Sequence, residues 1–590
     1  MRKDWVNRVS TFLFAGAITC LLLSGCERSE DTVAVGSTAL APAATILTNA
    51  RIYTLDPGRP WAEAVAINDG KYLYVGDAAG ADRYLGEQTQ RIDLAGKMLM
   101  PGVNDAHAHP WQGGISALYT CNFPFSATPD AIAARLRECI ASNPDGKWVV
   151  GGQWSSDFFR THDIPSPRAF LDAVSSEHII YLSDDAGHNA WVNSAALALA
   201  GVNRDTPDPE GGTFVRGADG EPNGLLYESA RTPVSRLQPA WTTAQYRAAL
   251  AEALRQANRY GLTGVNEARA LPEVLAAYRQ LDEAGELTAH LVANHQTPRE
   301  VRNYPLDIEG IVAARDKFQS THLHTNFVKI FLDGVPTASR TALMLEDYLV
   351  EEEHPQPTRG LLMVDPDVLR RDLIALDKLG FTVKIHTAGD GSVRTALDAL
   401  QAMREVNGPS GLRHELAHAG FIDPQDLPRF AELGVTADLS PYIWYPSPII
   451  DSVVGAIGPR GLHYFPVRDL LESGANVLMG SDWPSAARNL SPWHAIEALV
   501  TRRNPFEDTD KTLWAEQAIS LEQALHIATM GGARAMRLEA LTGSIEEGKS
   551  ADFIVLDRNL FEVPINTISE TQVEQTWFEG RPVYTKGEQP

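Results

Sequence analysis

At roughly 100–200 residues per domain, a chain of 590 residues has room for two to four domains, or for one large barrel with appendages. Its 44% hydrophobic and 21% charged content is that of an ordinary globular protein, which excludes whole-chain disorder, collagen and polytopic membrane classes. With 75 acidic against 51 basic side chains the net charge is −24, and no basic block interrupts the sequence, so neither nucleic acid nor an anionic lipid surface is expected as a partner through charge.

The N-terminus reads as an address. Arg2, Lys3 and Arg8 precede an uncharged run from Val9 to Cys26 that ends in Leu23-Ser24-Gly25-Cys26. This resembles a bacterial lipoprotein signal over residues 1–25, cut before Cys26, whose sulfur then takes a lipid anchor. An uncleaved membrane helix and a plain secretory signal are the alternatives. Residues 26–44 form a polar, Ala-rich tether. Glu27 follows the cysteine in place of Asp, so retention at the inner membrane is not signalled. The expected location is the envelope of a Gram-negative-type cell, facing the periplasm, on the outer membrane. Four cysteines cannot scaffold a core of this size, and with Cys26 lipidated only Cys121 and Cys139 keep their thiols after processing. Export implies an oxidising compartment in which these two can pair; two buried free thiols are the other reading.

Short strands with turns occupy 45–100, such as Ala50–Leu55 and Lys71–Asp77, and recur at the end, as in Ala551–Leu556 and Arg581–Tyr584. They predict a small β-sandwich from both termini, over 45–100 and 536–590. From the end of the first of these segments onward, eight apolar, β-branched runs recur: Met98–Met100, Thr263–Val265, Leu291–Ala293, Phe327–Phe331, Phe381–Ile385, Leu416–Ala417, Val435–Ala437 and Asn476–Met479. Helical patterns separate many of them. Thr242-x-x-Gln245 is a capping box for a helix carrying Tyr246, Leu250 and Leu254 and stopping at Gly261. Asp365-Pro366 opens another, with Leu369, Leu373 and Leu376 at helical spacing and Gly380 as its stop. Eight strand–helix units predict an α/β fold, a (β/α)8 TIM-type barrel over 101–535. Its excess length falls at about 110–241, an insertion over the barrel mouth.

Chemistry gathers at the strand ends. The segment Pro101-Gly102-Val103-Asn104-Asp105-Ala106-His107-Ala108-His109 runs a strand into His-x-His, and residues i and i+2 share a face, so both rings can turn to one metal. Val383-Lys384-Ile385-His386, Leu416-Ala417-His418 and Leu478-Met479-Gly480-Ser481-Asp482 also end in ligand-type residues, and Lys329 lies inside the strand ending in Asp333-Gly334. A single buried histidine is usually a hydrogen-bonded core residue. Four His, one Lys and one Asp at the ends of five strands match the C-terminal face where barrel active sites are built.

These motifs, with Gly187-His188-Asn189-Ala190-Trp191-Val192-Asn193-Ser194, Asp208-Pro209-Glu210-Gly211-Gly212, Gly480-Ser481-Asp482-Trp483-Pro484 and Gly548–Phe553, resemble the metal-dependent amidohydrolase superfamily and its YtcJ-like branch, related to N-substituted formamide deformylases. The resemblance spans nearly all of the mature chain. It implies a hydrolase cleaving a C–N bond, of amide or formamide type, in a small organic substrate. Two divalent metal ions, zinc first among candidates, would be held by His107, His109 and Asp482 and by His386 and His418. Lys329, as N6-carboxylysine, would bridge them. A metal-bridged hydroxide would be the nucleophile and Asp482 the general base and acid. His188, Trp191, Asn193, Arg340 and Trp483 are candidate substrate contacts, and a homodimer is a family-level expectation. The chain departs from the branch at Ala417, where an acid usually precedes the last ligand histidine.

Two rival readings stand beside this one. His414-Glu415-x-x-His418 matches the zincin metalloprotease motif, which needs both histidines on one face of a long helix; Gly408, Pro409, Gly411 and Gly420 bracket it too closely. A lipid-anchored binding protein on a relict barrel is the other, and it is opposed by ligand positions that are all filled.

Overall fold

In a computed structural model the protein is described over residues 40–155, 157–351, 356–440 and 442–588. The signal segment and the lipidation site Cys26 lie outside the described residues. Eight parallel strands are neighbours in chain order: β1 (Val103–Ala108), β2 (Leu262–Ala270), β3 (His290–Gln296), β4 (Leu323–Phe331), β5 (Thr382–Thr387), β6 (Glu415–His418), β7 (Thr436–Leu439) and β8 (Asn476–Met479). The ring closes just past β8 through point contacts. Ser481 donates from N–H and Oγ to the Asp105 carboxylate at 2.9 and 2.6 Å, and Asp482 N–H donates to the His107 carbonyl at 2.7 Å. Glycine permits this approach: a Cβ at Gly480 would lie 2.3 Å from His107 Cβ. This is the expected TIM-type barrel, and its helices form where their sequence signals lie. Thr242 and Gln245 make the reciprocal capping box of helix Thr243–Arg259, which buries Tyr246, Leu250 and Leu254. Each leucine so buried contributes about 1.5–3 kcal/mol. The Asp365 carboxylate accepts the first N–H groups of helix Pro366–Lys378, which buries Leu369, Leu373 and Leu376.

The start of the barrel corrects one expectation. Met98–Pro101 is a separate strand, pairing with Arg51-Ile52 on one side and Phe553–Val555 on the other. It therefore belongs to the terminal β-domain, and β1 begins after it at Val103. Gly102 is the joint: a Cβ there would lie 2.0 Å from Thr263 Oγ1. The β-domain has a six-stranded sheet drawn from both ends of the chain and a four-stranded sheet from residues 45–93. Trp577 stacks on Phe553 with ring centroids 5.1 Å apart.

The segment between β1 and β2 builds its own six-stranded sheet, running from Cys121-Asn122 to Gly212–Arg216. A disulfide joins Cys121 to Cys139, tying an edge strand to helix Pro129–Ser142. The turn between strands Ile179–Asp184 and Asn189–Val192 carries His188 to the barrel, where its ring lies 5.3 Å from that of His386.

Candidate metal centre

All six expected ligand residues are buried at the C-terminal ends of the barrel strands or just beyond them. His107 lies on β1; His109 sits one residue past it, flanking helix Pro110–Tyr119. Their ring centroids are 5.7 Å apart. Asp482 Oδ1 is 3.0 Å from His109 Nε2 and 3.5 Å from His107 Nε2, and one ligand atom from each of the three falls within 4.8 Å of the others. The rings of His386 and His418, ending β5 and β6, are 4.7 Å apart, and His418 is 5.0 Å from His107. Lys329 Nζ, on β4, is 3.2 Å from His107 Nε2.

A hydrogen bond at Nδ1 orients three of the four imidazoles. His107 Nδ1 meets Asp438 Oδ2 at 2.6 Å, His386 Nδ1 meets Asp333 Oδ1 at 3.0 Å, and His418 Nδ1 meets the Ser440 carbonyl at 2.6 Å. Each acceptor fixes the proton on Nδ1 and leaves Nε2 as a lone pair, the form a metal ion takes. His386 Nε2 is buried with no hydrogen-bond partner among the described residues. Burial, and then the Lys329 charge, hold His107 well below the usual imidazole range; burial and His386 push His418 to about 3. Burial first, and then the Lys384 charge, lower Lys329 to about 7, so a large fraction of its amine is unprotonated near neutral pH.

Several supporting residues were not singled out by sequence reasoning. Lys384 is buried between Asp438 and Glu415 and donates to the Ala106 carbonyl at 3.1 Å. The Asp333 carboxylate, raised to about 7 by burial, also accepts from Ser392 Oγ and the Ala388 and Gly389 N–H groups. Glu228 holds His188 Nδ1 at 2.8 Å and accepts from Thr341 at 2.7 Å. Its φ of 48° is a conformation that L residues rarely adopt and that tends to mark functional sites. Arg299 Nη2 lies 3.1 Å from both nitrogens of His188. An acid near the end of an apolar strand was the available signal for Asp438, the partner of Lys384.

The candidate substrate contacts divide. His188 reaches the centre. Trp191 does not: it is fully buried in the core of the inserted segment, against Phe158, Phe159 and Phe170, with its indole N–H on the Pro167 carbonyl. Asn193 is occupied as a helix cap, accepting from Ala196 and Ile180 N–H and donating to the Ser175 and His178 carbonyls. Arg340 is taken up by the Leu349 carbonyl and Glu351. Trp483 packs on Gly113 and is 6% exposed. Trp191, Asn193 and Arg340 are thus engaged by their own surroundings, in the insertion core, a helix cap and a loop.

The zincin arrangement is absent. Residues Glu415–His418 form a strand, Glu415 pairs with Lys384, and His414 Nε2 meets Asp377 at 3.1 Å.

Comparison with known proteins agrees with this geometry. Residues 90–584 match the amidohydrolase family. The chain is 30% identical over 550 residues to Protein LONG AFTER FAR-RED 3 of Arabidopsis thaliana, covering 91% of each. It is 26% identical over 552 residues to the N-substituted formamide deformylase of Arthrobacter pascens, covering 91% of this chain and 97% of that one. In fold it is similar to an uncharacterized metal-dependent hydrolase from Pyrococcus horikoshii OT3, with a TM-score of 0.68 at 24% identity, over 88% of this chain and 99% of the other. The chain belongs to the amidohydrolase family and is a metal-dependent enzyme acting on carbon–nitrogen bonds other than peptide bonds.

Proposed function

We propose that the enzyme hydrolyses an amide or formamide bond of a small organic molecule, with Asp482 moving the proton. The observation that carries this reading is the convergence of four imidazoles, a carboxylate and a depressed lysine at one end of the barrel. His107, His109 and Asp482 bring together donors for one divalent cation, and His386 and His418, with Lys329, would hold a second. His386 Nε2, buried without a partner, is the kind of orphaned atom that a ligand satisfies. Imidazole and carboxylate donors suit zinc. Bound cations supply Lewis acidity and bring the pKa of water toward neutrality.

The chain's own residues supply the rest. The Asp482 carboxylate accepts a proton from water and returns it to the leaving nitrogen. Lys329, lowered to about 7, has a free amine able to combine with carbon dioxide, releasing one proton and giving an anionic carbamate with two oxygens for the two cations. His188, with Nδ1 on Glu228 and Arg299 against its ring, stands beside His386 and would position the substrate there. At the N-terminus, Cys26 would anchor the enzyme to a membrane facing the periplasm; Cys26→Ser is expected to move it from the membrane to the soluble fraction.

The test is amine release from a panel of formamides, acyl-aryl amides, N-acyl amino acids and lactams by zinc-loaded enzyme. Turnover of at least one class, two metal equivalents per chain and loss of turnover in His107→Ala are expected. No amine from any class, or full activity in His107→Ala, overturns the reading.

A further inference from the structure

The loops that leave the centre enclose a second feature. Ser440, which contacts both His107 and His418, is followed two residues later by Tyr442, and Asp482 is followed by Ala486–Asn489. These two loops, with part of the inserted segment, wall a cavity of about 230 Å³. Asp185 of the insertion lines it and accepts the Ala486 N–H at 2.7 Å, which ties the insertion to the post-β8 loop at this point.

The lining has a definite chemistry. Phe125, Tyr442, Ile443, Tyr445 and Phe506 supply aromatic and apolar faces. Tyr445 and Phe506 meet edge to face at 6.1 Å, and His494 stacks on Phe506 at 4.4 Å. A dry cavity of about 150 Å³ already holds a benzene ring, so this one accommodates a ring with a short side chain. Polar side chains interrupt this wall, among them Asp185, Asn489, Asn504 and Glu507. The Tyr442 hydroxyl is buried with no hydrogen-bond partner among the described residues, which is costly unless a ligand supplies one. Burial and the Asp105 carboxylate hold that phenol protonated. Arg488, exposed and therefore at the rim, stacks 4.4 Å over Phe506 and makes no ion pair with any carboxylate among the described residues. A guanidinium resting over an aromatic wall keeps its N–H donors for a planar anion.

We propose that this cavity seats the aromatic half of the substrate, with Arg488 pairing a carboxylate at its rim, so that the substrate is an amide of which one half is an arylalkyl carboxylate. The inference rests on the amide-hydrolase reading above and narrows it: the ring fills the space between Ile443, Tyr445 and Phe506.

The probe is 3-phenylpropanoate, titrated calorimetrically into zinc-loaded enzyme, which needs no turnover. Saturable binding is expected, at least tenfold weaker for 3-phenylpropanol and in Arg488→Gln. Ala487, on the cavity wall, becomes a plug in Ala487→Trp, which is expected to abolish binding; melting temperatures confirm that both variants fold, and Arg488→Gln carries the test alone where the tryptophan variant does not. Absence of binding at millimolar probe overturns the inference. So does equal affinity for the alcohol. Undiminished binding in Arg488→Gln, which would place the carboxylate on the metal ions, overturns it too. If the amide panel yields no amine while the probe binds as described, the hydrolase reading fails and the aromatic-anion site stands; turnover without probe binding has the opposite meaning.

Discussion

His107 turns its Nδ1 onto the Asp438 carboxylate at 2.6 Å, and this contact decides which of its ring nitrogens faces Asp482. Both residues are fully buried, and the same carboxylate receives Lys384 and the Ser440 hydroxyl. In Asp438→Asn the shape stays but the charge goes, and the amide NH2 competes to face the ring. The tautomer with Nε2 free is then no longer favoured. Loss of such an outer partner weakens metal binding by about 10–100-fold. Zinc affinity measured against a chromogenic chelator is expected to fall by that amount, with activity partly restored by excess zinc. An unchanged affinity contradicts the assigned role of Asp438.

Gly480 sits where β8 meets β1 without a hydrogen-bonded ladder. A methyl group there would lie 2.3 Å from His107 Cβ and 2.7 Å from His107 N. Neither neighbour is a flexible side-chain end, so the strands must part, and Asp482, held by the His107 carbonyl two residues on, moves with them. Gly480→Ala is expected to lose about 100-fold or more in kcat/KM, because a 1 Å misplacement of a catalytic group costs on that order. A variant within threefold of the parent shows that the junction has slack.

Lys384 is the cation between two buried acids, Asp438 and Glu415, and none of the three side chains is exposed. In Lys384→Met both carboxylates lose their counter-charge in a site from which water is excluded. Removing one partner of a buried ion group costs about 3–5 kcal/mol. Urea unfolding is expected to report a loss of that size, and zinc is expected to recover part of it by restoring positive charge nearby. A loss below about 1 kcal/mol, the range of exposed pairs, argues that the acids are already protonated.

The barrel was legible because its local signals agree with its packing. Thr242 and Gln245 cap the helix that their spacing predicts, the runs ending in His386 and His418 stop within a residue of a strand's end, and Asp482 follows three residues after β8. Periodicity could not tell which sheet a short apolar run joins. Met98–Met100 reads equally well as a barrel strand or an edge of the β-domain, and a glycine joint two residues later decides between them. The supporting residues were harder to see for another reason. Glu228 comes to His188 through an unusual backbone turn, and Arg299 from a loop more than a hundred residues beyond that histidine. Trp191 and Asn193 sit in the same motif as His188, yet on a strand and a cap the neighbouring positions face different layers, so one motif serves both the site and the core.

Stability should carry a pH signature far from the metal centre, where the barrel meets the β-domain. His322 Nδ1 contacts Asp282 at 2.6 Å and its Nε2 contacts Glu579 at 3.1 Å. The Glu579 hydrogen bond, opposed by burial and aided by Asp282, raises His322 to about 9 from its ordinary value of 6.5. A histidine whose pKa is higher in the folded chain binds its proton more tightly there. Its contribution is therefore complete below pH 6.5 and is lost as pH rises through 9. The melting temperature is expected to fall between pH 6.5 and 9, and His322→Gln, which keeps a hydrogen-bonding side chain but no titratable charge, is expected to start lower at pH 6 and to flatten that slope. Thermal unfolding of both proteins in matched buffers decides it, since a slope that survives in the variant must come from other groups.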